Sequence, residues 1–445
     1  MKILLDPGLL SSDFLRKINE KFSENIQILS ENDERYELYK NIASDLYIHR
    51  NPTCSPLNDN LKICPHFIIE AIINDHKTMM LYDRSNSPFK TTSKKIRWIS
   101  SICDSVYKFI KMHKPDMIIY PSTPHGINTW IMAKVAESMS VKVCTFQISI
   151  VPWRVDMLEG LHRNQKRISL HDELYLSKEE KELIHEFTEK KKASRDVALP
   201  DYEAERLRAN RGKYYNIIAD LKNNWRRPDL LVNKYRCFYK YNELAVSEIN
   251  KSQDYSVFFL HYQPERTTLP EGYGFSQQLL AIKELRAALP VTTSLYVKEH
   301  PSTFTNLCHW KERDTDFYNE ICSIPGVELL SLDYDSYELM DKATLISTIT
   351  GSVGVEALIR GNRVVFFGCG AYIHHNKSHK YTDRCSLKEF IDSESDSFFD
   401  VESQLFGSVS AYEGPFLINK NNYNSIKSTA ISNGIYQFLQ KELNE

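Results

Sequence analysis

The sequence predicts an α/β protein of two doubly wound, Rossmann-like domains with a helical insert between them. Three observations carry this reading. Short apolar runs alternate with helical stretches through the first third of the chain, the alternation resumes at residue 255, and the stretch between is long, charged and helical. Strand, helix, strand in succession is the pattern of a parallel sheet with crossover helices. A length of 445 residues exceeds one typical core and leaves room for two domains and an insert.

Taken in order, KILL (2–5), IQIL (26–29) and MMLY (79–82) read as strands. Residues 98–113, WISSICDSVYKFIKMH, space their apolar side chains by three and four and read as an amphipathic helix, stopped at Lys114-Pro115. DMIIYPS then reads as a buried strand, residues 127–139 as a helix, and VKVCTFQISI as a strand, with VPWRVDMLEG as the loop after it. From about 160 to 250, SKEEKELIHEFTEKKKAS and DYEAERLRANRGKYYNIIADLKNN read as charged helices. In the second half YSVFFLHY, SLYVKEHP, VELLSL, ATLISTI and RVVFFG are strands, interleaved with helices over FSQQLLAIKELRAAL, FYNEICSIPG, SYELMDKA and GVEALIRG. The expected domains are 1–160, an insert at 161–250, a second domain at 251–415, and a helix at 416–445 that packs back on the first domain.

A formal charge of -2 excludes the basic excess of a nucleic-acid binder. The local runs KKK (190–192) and WRRP (225–228) read as solvated faces, with an anionic membrane surface as the weaker option. Nine scattered cysteines form no C-x-x-C pair and no zinc spacing, which fits reduced structural thiols and no metal. The amino-terminal apolar stretch is short and broken by Asp6, so no signal peptide is expected. No run of about eighteen apolar residues suggests a membrane span. The expectation is a cytoplasmic protein that can touch a membrane peripherally.

In open α/β sheets ligands bind at the carboxyl ends of the strands. Three strand ends in the second half are polar together: HYQPERTTLP carries His261, Gln263, Glu265, Arg266, Thr267 and Thr268, KEHP carries Lys298, Glu299 and His300, and STITGSVGVE carries Ser347, Thr348, Thr350, Gly351, Ser352 and Glu356. A helix amino terminus offers unpaired N–H groups and the positive end of its dipole, and glycine lets an oxygen approach the backbone. Lysine, histidine and hydroxyls beside it make an anion site, and Glu356 one turn on would accept from a ribose. The expected ligand is a nucleotide. Each residue also has a plainer reading: Thr350 or Ser352 as a helix cap, Gly351 as a turn, His300 as a buried hydrogen-bonded histidine, Glu356 as a surface carboxylate. There is no G-K-[ST] and no G-x-G-x-x-G after the first strand, so ATPase and dehydrogenase readings are weak. In the first half, His125 in TPHG, and Arg154, Asp156 and Glu159 in VPWRVDMLEG, would face a cleft if the domains open toward each other. A histidine or carboxylate there serves as base or nucleophile, against the plainer reading of a loop hydrogen bond or salt bridge.

The stretches FFLHYQPERTTLPEGY, YVKEHPS and STITGSVGVEALIRGNRVVFFG resemble the capsule polysaccharide biosynthesis family, which includes bacterial Kdo transferases. The resemblance covers about 255–375, with a fainter echo in YPSTPHG. It implies a GT-B-like architecture, two Rossmann-like domains facing across a cleft, with an activated sugar on the second. The HP and Ser/Thr-rich motifs also look like those of bacterial sialyltransferases, which use CMP-activated acidic sugars. Carried over, His300 and the hydroxyls of Ser347, Thr348 and Thr350 would contact the donor phosphate, and Glu356 would lie near its ribose; Gln263, Lys298, Gly351 and Ser352 join them from the strand-end reading above. The donor would be a CMP-sugar, with no further cofactor and no metal, and the acceptor a polysaccharide or lipid-linked glycan. Some members of this wider group are retaining enzymes with a carboxylate nucleophile in the first domain. Here the loop reads PHGIN, with no acid directly after the histidine, so Asp156 and Glu159 are the candidates beside His125, with Asp6 as an outsider. Stereochemistry stays open.

Three functions fit this reading: transfer of Kdo or a related acid from a CMP donor into capsule or lipopolysaccharide, a nucleoside-diphosphate-sugar transferase or 2-epimerase of the same fold, and a non-catalytic scaffold inside a capsule-assembly complex. The cluster of polar strand ends argues against the scaffold.

Overall fold

The computed structural model describes residues 1–8, 10–30, 46–48, 63–85, 89, 91–161, 165–169, 173–193, 220–222, 228–263, 265–305, 313–368, 376–394, 398–411 and 423–444. The helix expected over 201–224 falls, apart from 220–222, outside the described residues, as do Cys54, Cys308 and Cys369. Cys64, Cys103, Cys144, Cys237, Cys322 and Cys385 are free thiols. The chain forms two compact units, Met1–Glu182 with Leu405–Glu445, and Leu183–Gln404.

The first unit begins with β1 (Ile3–Leu5), α1 (Ser12–Phe22), β2 (Ile26–Ser30) and β3 (Leu46–Ile48). Ser11 caps α1 by accepting from the Phe14 N–H, and Leu15, Ile18 and Phe22 bury one face. Helices α2 (His66–Asn74), α3 (His76–Arg84) and α4 (Thr92–His113) follow, then β4 (Met117–Tyr120), α5 (Ile127–Ser138), β5 (Lys142–Ile148), β6 (Arg154–Glu159) and β7 (Lys166–Ile168). Helix α6 (Lys178–Ala193) carries the boundary between the units.

Two expectations are corrected here. MMLY lies within α3, not a strand: Asp75 caps the helix, and Thr78, Leu81 and Tyr82 bury at helical spacing. A four-residue apolar run does not distinguish helix from strand by itself. VPWRVDMLEG is not a loop, because Arg154–Glu159 form β6, antiparallel to β5.

The second unit continues with α7 (Pro228–Leu244), β8 (Tyr255–Phe259), α8 (Gln278–Ala288), β9 (Ser294–Lys298), the short α9 (Ser302–Thr305), α10 (Thr315–Ser323), β10 (Val327–Leu330), α11 (Ser336–Lys342) and β11 (Leu345–Thr348). It ends with α12 (Ser352–Ile359), β12 (Val364–Phe366), β13 (Ser378–Lys380) and α13 (Arg384–Asp392). The strand β14 (Val409–Ser410) and helix α14 (Tyr423–Asn444) return to the first unit. Phe438 of α14 meets Phe146 of β5 edge-on, with ring centroids 6.2 Å apart. The approach is close enough that a Cβ at Gly434 would stand 2.5 Å from Val155 Cγ1.

The sheet of the first unit runs β14-β6-β5-β4-β1-β2-β3, with β7 also on β6. Strands β3, β2, β1, β4 and β5 are parallel, and β6, β7 and β14 complete the edge antiparallel. The sheet of the second unit runs β10-β9-β8-β11-β12-β13 and is parallel throughout. Each chain path leaves a central strand in one direction and then starts again on that strand's other side. The order therefore reverses between β1 and β4 in one sheet and between β8 and β11 in the other. At such a reversal the crossover helices lie on opposite faces, and a crevice opens at the carboxyl ends of the two strands.

Candidate functional site

In the second unit the crevice is built by the residues that follow β8 and β11. His261, two residues beyond β8, is 6% exposed, and its Nε2 lies 3.0 Å from Thr348 Oγ1. The Thr350 N–H donates to the same nitrogen at 3.1 Å. Thr350 Oγ1 in turn donates to the Thr267 carbonyl at 2.8 Å. Two loops more than eighty residues apart in sequence are thus stitched across the switch point. Burial pushes the His261 imidazole down to about 3, and the charges of His300 and Arg313 add to the fall.

Helix α12 starts from that stitch. Its cap residue is Gly351, in extended backbone and without a side-chain cap. The N–H groups of Ser352 and Val353 have no hydrogen-bond partner among the described residues. Ser352 itself is exposed. A Cβ at Gly351 would stand 2.9 Å from Thr348 Oγ1 and 3.2 Å from His261 Nε2, so glycine is what allows the backbone to pass the histidine. Gly354 plays the same part further along, where a Cβ would meet Phe366 at 2.4 Å. Unpaired N–H groups at the start of a helix attract an anion through hydrogen bonding and the helix dipole.

His300 reaches the same rim from β9. Its Nδ1 accepts from the Ser302 N–H at 3.1 Å, and its ring lies 6.3 Å from that of Tyr262. Beneath it is a buried ion pair, Glu299 with Arg313, at 3.0 Å and with side chains 0% and 4% exposed. Glu299 also accepts from the His300 N–H at 2.9 Å, Thr303 Oγ1 at 3.2 Å and Tyr318 OH at 2.9 Å. Arg313 donates onward to the His261 carbonyl at 3.0 Å and to Gln263 Oε1. One guanidinium therefore fixes the loops that carry both histidines.

Several expected donor ligands are not free to be ligands. Lys298 is 3% exposed and its ammonium donates to the carbonyls of Ser331, Leu332 and Tyr334 at 3.2, 2.8 and 2.7 Å. Its three protons are taken, so it ties down the turn after β10 rather than reaching a phosphate. Gln263 is closed on both ends, by Arg313 and by the Ser276 carbonyl at 2.6 Å. Ser347 lies inside β11 and is fully buried. Glu356 is buried on α12, with Oε1 held by Lys191, which removes the ribose role from this arrangement. The hydroxyls of Thr348 and Thr350 are likewise buried and engaged, with His261 and with the Thr267 carbonyl, so they hold the turn; Gly351, Ser352 and His300 remain at the crevice.

The first unit gathers a different set. Asp6 follows β1, is 5% exposed, and accepts from the Gly8 N–H at 2.7 Å. Gly8 in turn abuts Pro121 after β4, so these two loops meet at the first switch point. His125 is exposed just before α5, with Nδ1 3.0 Å from the Thr123 carbonyl. Thr123 Oγ1 accepts from Gln147 at 2.8 Å. Helix α5 has no side-chain cap at Gly126. Asp156 stands opposite Gln147 in the sheet but is fully buried, and Arg167 holds its Oδ1. Burial pushes the Asp156 carboxyl up, against the lowering effect of Arg167. Glu159, three residues on, faces the other side of the sheet, beside Cys144. The expected set His125, Asp156 and Glu159 is therefore not a cluster, and among the carboxylates named from sequence Asp6 is the one at the switch point.

A doubly wound parallel sheet, with an uncapped helix start and buried histidine at its reversal, defines the second unit as a Rossmann-like α/β unit with an anion-receptive crevice. Residues 182–376 match the family model described as "Capsule polysaccharide biosynthesis protein". Over that stretch the chain is similar to the capsule polysaccharide biosynthesis family, the family its motifs resemble. Among solved structures the chain is similar to Thermosulfurimonas dismutans KpsC, beta Kdo 2,7 transferase, at 8% identity over 80% of this chain and 95% of that one, with a TM-score of 0.32. It is also similar to the beta Kdo 2,4 transferase of the same KpsC, at 12% identity over 62% and 78%, with a TM-score of 0.28. A third is Methanocaldococcus jannaschii UDP-GlcNAc 2-epimerase in complex with UDP-GlcNAc and UDP, at 14% identity over 91% and 97%, with a TM-score of 0.23. No curated protein matches the chain. Among the described residues no helix is long and apolar enough to cross a membrane.

Proposed function

We propose that this protein is a glycosyltransferase of capsule or related surface-polysaccharide synthesis, moving an acidic sugar, Kdo or a related ulosonic acid, from a CMP-activated donor to a growing glycan. The observation that carries the proposal is the uncapped start of α12 at the β8/β11 switch point, inside the stretch that matches the family. In this reading the donor phosphate sits against the Ser352 and Val353 N–H groups, with the Ser352 hydroxyl and His300 beside it.

The reaction breaks the bond between the anomeric carbon and the phosphate oxygen, and CMP leaves with the electron pair. An acceptor hydroxyl oxygen bonds to the anomeric carbon and gives up its proton. Charge gathers on the departing phosphate, so groups already aimed there stabilise the transition state without reorganising. The helix start supplies such groups. The donor brings its own activated bond, and the proposal invokes no further cofactor or metal. The proton passes to a base, the part proposed for His125, the exposed histidine just before α5. The proposed partners are the nucleotide sugar and a polysaccharide or lipid-linked glycan, met in the cytoplasm at the inner face of the membrane.

Release of CMP from CMP-Kdo in the presence of capsule oligosaccharide tests the function. The wild-type protein is expected to release it, and His300→Ala to lose about a hundredfold in rate, as when one donor to a developing oxyanion is removed. The melting temperature should stay close to wild type. Full activity in His300→Ala would remove that residue from the site.

A further inference from the structure

The Thr350 N–H can only donate, and it points at His261 Nε2 from 3.1 Å. That nitrogen must therefore present its lone pair, and the ring proton must sit on Nδ1. Thr348 Oγ1, 3.0 Å from the same nitrogen, also has the Phe259 carbonyl within reach at 3.4 Å. The ring is uncharged as long as this stitch is made. The charged and titratable neighbours acting on it are His300 from the β9 loop and Arg313 before α10, and both disfavour a second proton.

The Nδ1–H has no acceptor among the described residues, although the side chain that carries it is only 6% exposed. Nδ1 is not one of the fully enclosed unpartnered atoms of the described residues, so this N–H reaches solvent, where a ligand oxygen can take the place of water. It belongs to a ring whose other nitrogen, Nε2, meets Thr348, Thr350 and Gly351 at the start of the helix whose first N–H groups also lack partners among the described residues. We infer that His261 is an uncharged binding residue, whose Nδ1–H donates to an anionic oxygen of the ligand seated at the start of α12, the nucleotide phosphate. This rests on the nucleotide-sugar reading given above. His261 then has two separate duties. Nε2 holds the Thr350 turn in place, and Nδ1–H meets the ligand.

Two substitutions separate the duties. In His261→Gln the amide oxygen stands near the Nε2 position and still accepts from Thr350, while the Nδ1–H donor is gone. In His261→Asn the amide stands near Nδ1 and can donate, while the Thr350 N–H loses its acceptor. Calorimetric titration with CMP, UDP and GDP is the measurement, alongside thermal melting. His261→Gln is expected to melt near wild type and bind nucleotide about tenfold or more weakly, the effect of losing a hydrogen bond to a charged group. His261→Asn is expected to melt lower. If UDP or GDP binds instead of CMP and His261→Gln weakens it, the cytidine reading fails and the His261 donor stands. If CMP binds wild type and a folded His261→Gln equally, the donor role is overturned and the cytidine reading stands. Absence of binding by all three nucleotides overturns both.

A second measurement does not depend on any variant folding. Nitrogen-15 spectra of histidine-labelled protein should show His261 with its proton on Nδ1, and that resonance should move when CMP is added. A proton on Nε2, or an unmoved Nδ1–H in CMP-saturated protein, overturns the inference; an ordered water as the standing partner would give the latter.

Discussion

Replacing Arg313 by alanine is expected to destabilise the second unit by about 3–5 kcal/mol, the usual cost of stranding one partner of a buried ion pair. The reason is the geometry around Glu299. Its carboxylate is fully buried and would be left with Tyr318, Thr303 and the His300 N–H but no counter-charge. The same change frees Gln263 Oε1 and the His261 carbonyl. Chemical denaturation of wild type, Arg313→Ala and the double variant Arg313→Ala with Glu299→Gln checks it. The neutral glutamine should recover a large part of the loss, because the stranded charge is gone. A single-variant loss below about 1 kcal/mol, the range of an exposed pair, would show that the pair does not anchor the loops.

Lys298→Met should be nearly as damaging to the fold and yet leave nucleotide affinity alone. Methionine keeps much of the buried stem, so the change isolates the ammonium. Three carbonyls lose their donor, at about 1–3 kcal/mol for each group left unsatisfied. For a unit of this size each kcal/mol lowers the melting temperature by about 2–4 °C. Thermal melting reads the loss, and titration with CMP well below the transition reads the affinity. An unchanged melting temperature with lost affinity would restore Lys298 to the phosphate, as the KEHP motif alone implies.

Much of the fold is legible in the residues. Strands β8, β9, β11 and β12 are buried on both faces of a parallel sheet, so each reads as a continuous apolar run. The start of α12 is legible too, since its hydroxyls and glycines follow a strand directly. What fails is instructive. β6 carries Asp156 and Glu159 among apolar residues, and its strand character comes from pairing with β5, which the local pattern does not reveal. Lys298 was legible as a cation at a strand end, but the carbonyls it serves lie more than thirty residues away. Glu356 likewise reads as a ribose ligand in the sequence, and only the folded chain sets Lys191 against it. Arg313 had no motif at all. It stands fifty residues from Gln263, and only the folded chain brings it beneath both histidine loops. His261 was visible at the rim of β8, but its tautomer follows from a backbone N–H on another loop.

The central claim is that the β8/β11 crevice holds the phosphate of a CMP-activated sugar. Calorimetric titration of the wild-type protein with CMP, UDP and GDP tests it most directly. CMP is expected to bind saturably at one site, with UDP and GDP weaker. Binding of UDP or GDP with none of CMP would contradict it and point to a nucleoside-diphosphate-sugar enzyme instead.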